Sequence, residues 1–184
     1  MNDEPQSGWT RLGKHRLIFG YAMCIASLVF ARRELFLPGI GLAVVGILWR
    51  IWSAGFIHKN EQVTMGGPYA LTRNPLYLGS FLFGLGGMIA IRVWWLMAVY
   101  VVGFFAFYYP TMRSEEAYLQ GKFGDEFEAY RRRVPFFLPW NISAGLGGFS
   151  FSSVVRNKEH RYAFGSVAFL LILEGVVRLR AFLR

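Results

Sequence analysis

The sequence is poor in cysteine, histidine and acidic residues, and each shortage excludes a class of function. Its single cysteine, Cys24, lies inside an apolar run, so one chain cannot form an intramolecular disulfide or a cysteine-based zinc or iron–sulfur site. His15, His58 and His160 are isolated from one another in the sequence, which argues against a metal site. Only 11 acidic residues oppose 20 basic ones, and the resulting charge of +9 lies between apolar runs. That pattern favours anionic lipid headgroups over nucleic acid as the partner surface.

Apolar residues, by contrast, are abundant. Of the 184 residues, 54% are hydrophobic and 18% aromatic, which is more than a soluble domain carries. The apolar stretches are 17–31, 35–57, 76–91, 93–110 and 162–177. A membrane-spanning helix needs about 20 residues, so the second and fourth stretches are long enough alone, and the others need flanking residues or shielding by protein. The sequence therefore predicts an all-α fold, a polytopic membrane bundle of about five transmembrane helices in a single domain, 1–184.

The connections between apolar stretches predict the organisation of this domain. Short connections around Arg33 and Arg92 indicate that 17–110 forms four membrane helices in two hairpins. Residues 1–16 form a polar N-terminus that does not resemble a signal peptide, so the first apolar stretch is expected to stay in the membrane. Residues 111–161 are predicted to cover a pocket on the cytoplasmic side, and 162–184 to form an extra C-terminal helix without an assigned role.

The distribution of basic residues predicts the orientation in the cell inner membrane. A cytoplasmic N-terminus places thirteen of the 20 Lys and Arg inside: Arg11, Lys14, Arg16, Lys59, Arg73, Arg113, Lys122, Arg131, Arg132, Arg133, Arg156, Lys158 and Arg161. The positive-inside rule favours this orientation. The polar segments 58–75 and 113–161 then share the cytoplasmic face, where any chemistry is expected.

The segment 66–79, with the sequence GGPYALTRNPLYLG, is the first candidate site. Gly66 and Gly67 permit unusual backbone angles, and Pro75 suits the first turn of a helix whose free amides attract an anionic group such as a carboxylate. Arg73 and Asn74 add hydrogen-bond donors, and two tyrosine rings supply faces for a purine or a cation. The alternative interpretation is a helix entry loop with an interfacial tyrosine and a snorkelling arginine.

A second candidate follows the fourth apolar stretch, where the sequence reads RSEEAYL from Arg113. Adjacent residues of a helix point about 100° apart, so at most one of Glu115 and Glu116 is expected to face a shared pocket. A carboxylate here could bind an ammonium group, and Arg113 could orient an acidic acceptor. The alternative is ordinary charge on a surface helix. An apolar helical pattern follows, interrupted by glycines, at Leu119, Phe123, Phe127, Tyr130 and Val134.

Read in order, three motifs resemble the isoprenylcysteine carboxyl methyltransferase and phospholipid methyltransferase family. The first is G-P-Y-x-x-x-R-N-P-x-Y-x-G from Gly67, the second is the glutamate pair, and the third is F-G-x-x-F-x-x-Y-x-x-x-V-P from Phe123 to Pro135. One position departs from the eukaryotic enzymes, because Asn74 stands where they usually have histidine. Asparagine can hydrogen-bond but cannot titrate near neutral pH, which excludes general-base catalysis from this position.

The resemblance implies an enzyme that transfers a methyl group from S-adenosylmethionine to a small amphiphilic or lipid acceptor entering from the membrane. The acceptor group could be a carboxylate, an amine or a thiol. By resemblance, the residues expected to bind the cofactor are Pro68, Tyr69, Arg73, Asn74, Pro75, Tyr77, Gly79 and Glu116. Glu116 would bind the cofactor's amino group, and Arg113 would orient the acceptor. These two residues form the expected catalytic set. No metal ligand is expected.

Two other functions stay open at this point. A nicotinamide-dependent membrane reductase is one, because sterol reductases resemble this family in their C-terminal half, although an adenosine phosphate calls for extra basic residues. A lipid-binding protein without catalytic activity is the other. Arg50 and Glu174 are charges inside apolar runs. Arg50 either snorkels or projects into the pocket, and Glu174 is expected to pair with a terminal arginine.

Overall fold

The computed structural model describes residues 6–31, 34–57, 63–139 and 148–183, with side chains from residue 15 onwards. Within these ranges all regular structure is helical: α1 Gln6–Phe30, α2 Leu37–Phe56, α3 Pro68–Leu71, α4 Pro75–Ile91, α5 Trp94–Phe123, α6 Asp125–Arg133, α7 Phe151–Arg156 and α8 Glu159–Phe182. The predicted all-α fold class is therefore confirmed. The predictions that involve Arg33, His58 and Lys59 lie outside the described residues.

Five of these helices match the five predicted apolar stretches. In the described part of the chain, α2, α5 and α8 are long and apolar enough to cross a membrane, while α4 and the part of α1 from His15 to Phe30 are shorter. α4 extends about 26 Å along its axis, close to the thickness of a hydrocarbon core. The final apolar stretch, 162–177, is too short to span a membrane alone, but its helix α8 extends beyond both ends of the stretch, from Glu159 to Phe182. Large apolar side chains such as Phe164 and Phe182 are exposed on its surface, as expected of a bundle that faces lipid.

Glycines bring α2 and α4 into backbone contact. A Cβ atom added to Gly39 of α2 would lie 2.3 Å from the backbone nitrogen of Ala90, and one added to Gly86 of α4 would lie 2.3 Å from that of Ala43. Small residues allow such an approach between membrane helices, where lipid gives no hydrophobic drive for association. The glycine run around Gly86 therefore allows close packing of α4 against α2. Its neighbour Gly87 faces open space instead.

The helix pairing differs in part from the two predicted hairpins. α4 and α5 form a packed hairpin whose connection passes through Arg92 in a left-handed conformation, with φ of 56°. The first predicted hairpin is corrected, because α1 packs mainly against α5, and α2 packs mainly against α4. The glycine face of α2 explains this choice, since it fits α4 closely. α5, the helix of the fourth apolar stretch, also continues beyond Pro110, where that stretch was predicted to end, to Phe123.

Aromatic rings fill the centre of the bundle below the candidate site. The ring of Phe104 on α5 stacks on Tyr108 with centroids 4.3 Å apart and lies 5.0 Å from the ring of Phe81 on α4. Phe137, from the segment after α6, contacts the same cluster, with its ring 5.8 Å from that of Phe81. Burial of these rings anchors the segment after α6 to the bundle and so fixes its position over α4 and α5.

A buried ion pair fastens the beginning of α8 to α2. Arg50 bonds both carboxylate oxygens of Glu159, including a contact of 3.0 Å from Nη2 to Oε2, and its Nη1 donates to the Leu76 carbonyl at 3.1 Å and to the Ser80 hydroxyl. The guanidinium also lies 3.8 Å from the centre of the Tyr162 ring. Arg50 therefore neither snorkels nor lines the predicted pocket, because each of its three guanidinium nitrogens donates a hydrogen bond to a neighbouring helix.

The other charge within an apolar run behaves as predicted. Glu174 Oε1 lies 2.7 Å from Nε of Arg178, one helical turn further along α8. The arginine side chain is 80% exposed, so this is a surface pair within one helix.

Candidate functional site

The first motif forms a short helix and a loop at one end of the bundle. Gly67 takes a positive φ of 54°, as the glycine pair predicted, and a Cβ atom there would lie 2.6 Å from the Phe56 ring at the end of α2. α3 follows at once, and α4 then begins at Pro75, the predicted first-turn proline. The loop is thereby held between the end of α2 and the start of α4.

Side-chain hydrogen bonds join this loop to the third motif and to Phe136, the residue that follows it. Asn74 is buried and donates from Nδ2 to the carbonyl oxygen of Phe136 at 3.0 Å. Tyr130 donates from its hydroxyl to the carbonyl oxygen of Tyr69 at 2.7 Å. The loop and the segment after α6, which are distant in the sequence, therefore form one layer. Asn74 acts as a donor here, which agrees with the prediction that it can bond but not titrate.

An arginine–glutamate–arginine group joins the first motif to the end of α5. Arg73 Nη1 lies 2.9 Å from Glu116 Oε1, and Arg113 Nη1 donates to Glu116 Oε2 at 3.1 Å. The Glu116 side chain is 8% exposed, whereas that of Arg113 is 50% exposed. The Arg73 contact is an ion pair without hydrogen-bond alignment. Among the described residues, Arg73 Nε and Glu116 Oε1 are buried without a hydrogen-bond partner, so both retain unused hydrogen-bonding capacity.

These groups line a cavity of about 420 Å³ between the loop, the N-terminus of α4, the end of α5 and α6. Six of the residues predicted to bind a cofactor lie on its wall: Tyr69, Arg73, Asn74, Pro75, Tyr77 and Glu116. The amides of the first turn of α4 have no partner inside the helix, which adds donors at this wall. The volume falls in the range of small-molecule sites, and the wall combines apolar rings with a few charged groups.

Three residues of the predicted set lie elsewhere. Pro68 is buried beneath the loop. Gly79 faces α2, where a Cβ atom would lie 2.5 Å from Cγ of Arg50, so it serves helix packing rather than the cavity. Arg113 lies outside the cavity wall and reaches it only through Glu116, because its position on α5 directs it to the surface.

A glutamate that the sequence argument left aside also lines the cavity. Tyr77 donates from its hydroxyl to Glu115 Oε1 at 2.5 Å, and Arg16 Nη1 donates to the same hydroxyl at 2.8 Å. The expectation that at most one glutamate faces the pocket is therefore wrong, since Glu115 and Glu116 both line it. Glu115 contacts Tyr77 on α4, whereas Glu116 contacts Arg73 in the loop before α4. No local signal reveals this, because Arg16 and Tyr77 are far apart in the sequence.

The charge state of the loop side chains follows from their burial. Burial lowers the pKa of Arg73, while the neighbouring Glu116 carboxylate acts in the opposite direction. The guanidinium still stays charged at neutral pH, since arginine is protonated in proteins. Burial raises the pKa of Tyr69 and of Tyr130 well above the usual value, so both phenols remain protonated.

Apolar side chains of α5 and α6 cover the cavity. The predicted helical pattern is confirmed, because Phe127 and Tyr130 form a buried cluster with Val63, and the remaining members pack against it: Leu119, Phe123 and Val134. The helix is interrupted, as predicted, at Gly124, which has φ of 51° and separates α5 from α6. Gly121 lies within α5 and causes no break. Five members of the cluster form an apolar part of the cavity wall: Val63, Leu119, Phe123, Phe127 and Tyr130.

The phospholipid methyltransferase family profile matches residues 15–126, which is more than half of the chain. The chain belongs to this family. The matched residues contain most of α1, all of α2 to α5 and the start of α6, and therefore the cavity wall formed by the loop and the end of α5. α7 and α8 lie beyond the match.

Three curated proteins are similar to parts of the chain. The cobalt-zinc-cadmium resistance protein CzcN of Cupriavidus metallidurans is 38% identical over 105 residues, 55% of this chain and 46% of that protein. The nickel-cobalt-cadmium resistance protein NccN of Alcaligenes xylosoxydans is 36% identical with the same coverage. The protein-S-isoprenylcysteine O-methyltransferase of Schizosaccharomyces pombe is 32% identical over 82 residues, 45% of this chain and 35% of that protein. The chain spans less than half the length of these relatives, and no solved structure matches it significantly.

Proposed function

We propose that the chain transfers a methyl group from S-adenosylmethionine to an amphiphilic or lipid acceptor in the cell inner membrane, at a site that faces the cytoplasm. The acceptor group is a carboxylate, an amine or a thiol. One observation carries this proposal: six residues of the resemblance, including Arg73 and Glu116, line a single cavity at one end of a membrane bundle. Family membership and the isoprenylcysteine methyltransferase relative support the same chemistry.

The chemistry of the cavity wall fits this cofactor. Its methionine part carries an ammonium group and a carboxylate, and the wall offers a buried carboxylate oxygen on Glu116 and a buried Nε on Arg73 with unused bonding capacity among the described residues. The rings of Phe127 and Tyr130 offer apolar surface for the adenine base. Glu116 would hold the ammonium group, as the resemblance implies, and Arg73 would hold the carboxylate.

The cofactor, when bound, supplies the reactive methyl group, so the chain has to bind, orient and exclude water. Glu116 and Arg73 fix one end of the site because they are themselves joined as an ion pair. The cover formed by α6 and the end of α5 keeps water from the reacting atoms. Glu115, bonded to Tyr77, is the carboxylate placed to accept a proton when the acceptor is an amine or a thiol.

The other functions have weaker support. A nicotinamide-dependent reductase needs extra cations for an adenosine phosphate, but Arg73 is the one lysine or arginine on the described cavity wall. Two relatives are named for resistance to metals, yet no three His, Cys, Asp or Glu side chains of the described segments are grouped as a metal site.

Label transfer from tritiated S-adenosylmethionine tests the proposal. The purified protein in lipid nanodiscs is incubated with the donor and a bacterial total lipid extract, and the label in the organic phase is counted. Glu116→Gln is compared with Glu126→Gln, since Glu126 is an exposed carboxylate on α6. We expect the wild type and Glu126→Gln to transfer label, and Glu116→Gln to transfer at least about tenfold less. Equal transfer by both variants would refute the assigned site.

A further inference from the structure

A second cavity, of about 510 Å³, lies deeper in the bundle between α1, α4, α5 and α8. Its walls are mainly apolar, with Met23, Phe104 and Leu170 as examples. Two arginines line it, Arg16 near the middle of α1 and Arg161 in the first turn of α8. The space is therefore amphipathic, with positive charge at one end and hydrocarbon surface along the rest.

The position of this cavity suits a molecule that dissolves in the membrane. Its wall on α1 runs from Arg16 to Ser27, about 17 Å along the helix axis. That length is roughly half of a hydrocarbon core about 30 Å thick. Arg16 donates to Tyr77 in the first turn of α4. Arg161 follows Glu159, whose partner Arg50 bonds the Leu76 carbonyl in that same turn. The two arginines therefore lie at the end of the bundle that holds the first cavity, and the apolar walls extend inward.

A thin aromatic wall separates the two cavities. Tyr77 lines the first cavity and Tyr108 lines the second, and their rings meet edge to face with centroids 5.9 Å apart. Arg16, from the second cavity, donates to the Tyr77 hydroxyl. A head group bound near Arg16 in the second cavity would therefore lie next to the first cavity.

At this end Arg161 has no counterion among the described residues, and Arg16 meets the Glu115 carboxylate only through the Tyr77 hydroxyl. Within the part of the chain that the structure describes, neither Arg16 nor Arg161 forms an ion pair with a carboxylate, and the Arg161 side chain makes no hydrogen bond. Charged groups near the membrane interior are costly unless they bind a partner. An anionic oxygen group matches both guanidinium groups by charge and by hydrogen-bond geometry.

α8, which lies beyond the family match, builds one wall of this cavity. The Arg50–Glu159 ion pair fixes its beginning, and Arg180 donates to the carbonyls of Val29 and Ala31 near its end, at 3.2 and 2.7 Å. Between these two attachments α8 faces the cavity and contributes Arg161. The extra helix thus completes a space that the family core leaves open.

We infer that the second cavity binds a membrane amphiphile with an anionic head, a carboxylate or a phosphate, held between Arg16 and Arg161, with its tail along the apolar walls. If this amphiphile is the methyl acceptor, the inference rests on the proposed function. If it is only a bound lipid, the inference is independent of that function. α8 then determines which amphiphile binds, since it supplies one of the two arginines and one wall of the tail space.

Binding of tritiated hexadecanoate to the protein in nanodiscs of zwitterionic lipid tests the inference, with scintillation proximity as the readout. We expect saturable binding that hexadecyl phosphate competes with, at least about tenfold weaker competition by hexadecanol, and none by inorganic phosphate at the same concentration. Equal competition by hexadecanol would overturn the anion site. If inorganic phosphate displaced hexadecanoate as strongly as hexadecyl phosphate does, the inference that the ligand is an amphiphile would be overturned.

Two matched pairs of variants on α8 locate the site. Arg161→Gln should weaken hexadecanoate binding about tenfold, and Arg178→Gln, an exposed position outside the cavity, should leave it unchanged. Gly165→Leu should fill the cavity and abolish binding, and Gly175→Leu should not. A Cβ atom at either glycine meets no atom within 4 Å, so both substitutions fit the fold, but only Gly165 lines the cavity. Equal effects within a pair would overturn the location.

S-adenosylhomocysteine binding, measured on the same samples, separates this inference from the proposed function. The Arg161→Gln and Gly165→Leu variants should bind it as the wild type does, because neither residue lines the first cavity. Wild-type protein that binds S-adenosylhomocysteine but not hexadecanoate would overturn the inference alone. Binding of hexadecanoate without S-adenosylhomocysteine would instead refute the proposed function and leave a lipid site.

Discussion

Arg73 Nη1 lies 2.9 Å from Glu116 Oε1, and this ion pair joins the loop before α4 to the end of α5. Both side chains are largely buried, at 11% and 8% exposure. The pair fixes the two walls of the first cavity relative to each other, while atoms of both residues retain bonding capacity among the described residues. A ligand with one positive and one negative group could therefore bind both residues without separating them.

Arg73→Lys should separate the stabilising role of this arginine from its role in binding. Lysine keeps the positive charge near Glu116 but lacks the planar fork that bonds a carboxylate twice. We expect thermal stability close to wild type and S-adenosylhomocysteine binding about tenfold weaker. Arg131→Lys, at an exposed position on α6, is the control. A large loss of stability with unchanged binding would contradict the assigned role.

Glu159→Gln should destabilise the bundle strongly, because it leaves the Arg50 guanidinium buried without its counterion. Breaking a buried pair in this way costs about 3–5 kcal/mol. The measurement is the free energy of unfolding in mixed detergent and denaturant. Joint replacement, Arg50→Met with Glu159→Leu, should recover much of the loss.

Glu174→Gln provides the matched control on the same helix. Its pair with Arg178 is at the surface, so the change should cost less than about 1 kcal/mol. Similar losses for Glu159→Gln and Glu174→Gln would mean that the Arg50–Glu159 pair does not hold α8 in place.

Gly86→Ala and Gly87→Ala should have opposite effects, although the glycines are neighbours. The Cβ atom of alanine 86 would meet the α2 backbone and force the helices apart, at a cost of about 1–3 kcal/mol. Position 87 is open, so alanine there should be neutral or stabilising, by up to about 1 kcal/mol. Unfolding free energies measure both, and equal effects would contradict the close contact of α2 and α4.

Asn74→Ala should loosen the segment after α6. The substitution removes the shorter of two hydrogen bonds to the Phe136 carbonyl and leaves only that from the Thr72 hydroxyl at 3.4 Å, at a cost of about 0.5–1.5 kcal/mol. Thermal unfolding measures the loss, and proteolysis between α6 and α7 should become faster. Leu138→Ala, at an exposed site, is the control. Unchanged stability would show that this bond does not hold the layer together.

The helices and the first motif could be predicted from the sequence because their signals are local. Hydrophobic runs marked the five long helices, Pro75 marked the start of α4, and the apolar spacing from Leu119 marked the cover of the cavity. Of the two glycines expected to take unusual backbone angles, Gly67 has a positive φ and Gly66 does not.

Features that depend on distant partners could not be predicted. The pairing of Arg50 with Glu159 could not be predicted, because Glu159 lies outside the motifs and the pair forms only when α8 packs against α2. The role of Glu115 depends on Tyr77 and Arg16, which reach it from α4 and α1. Gly79 was assigned to the site by its place in a motif, whereas helix packing explains it.

Calorimetric titration of S-adenosylhomocysteine into the detergent-purified protein tests most directly whether the first cavity is a cofactor site. Wild type is compared with Glu116→Ala and with Glu126→Ala as the exposed control. We predict saturable binding to the wild type and to Glu126→Ala, and none to Glu116→Ala. Absence of both heat and thermal stabilisation for the wild type in several lipids, or equal binding by all three proteins, would contradict the account.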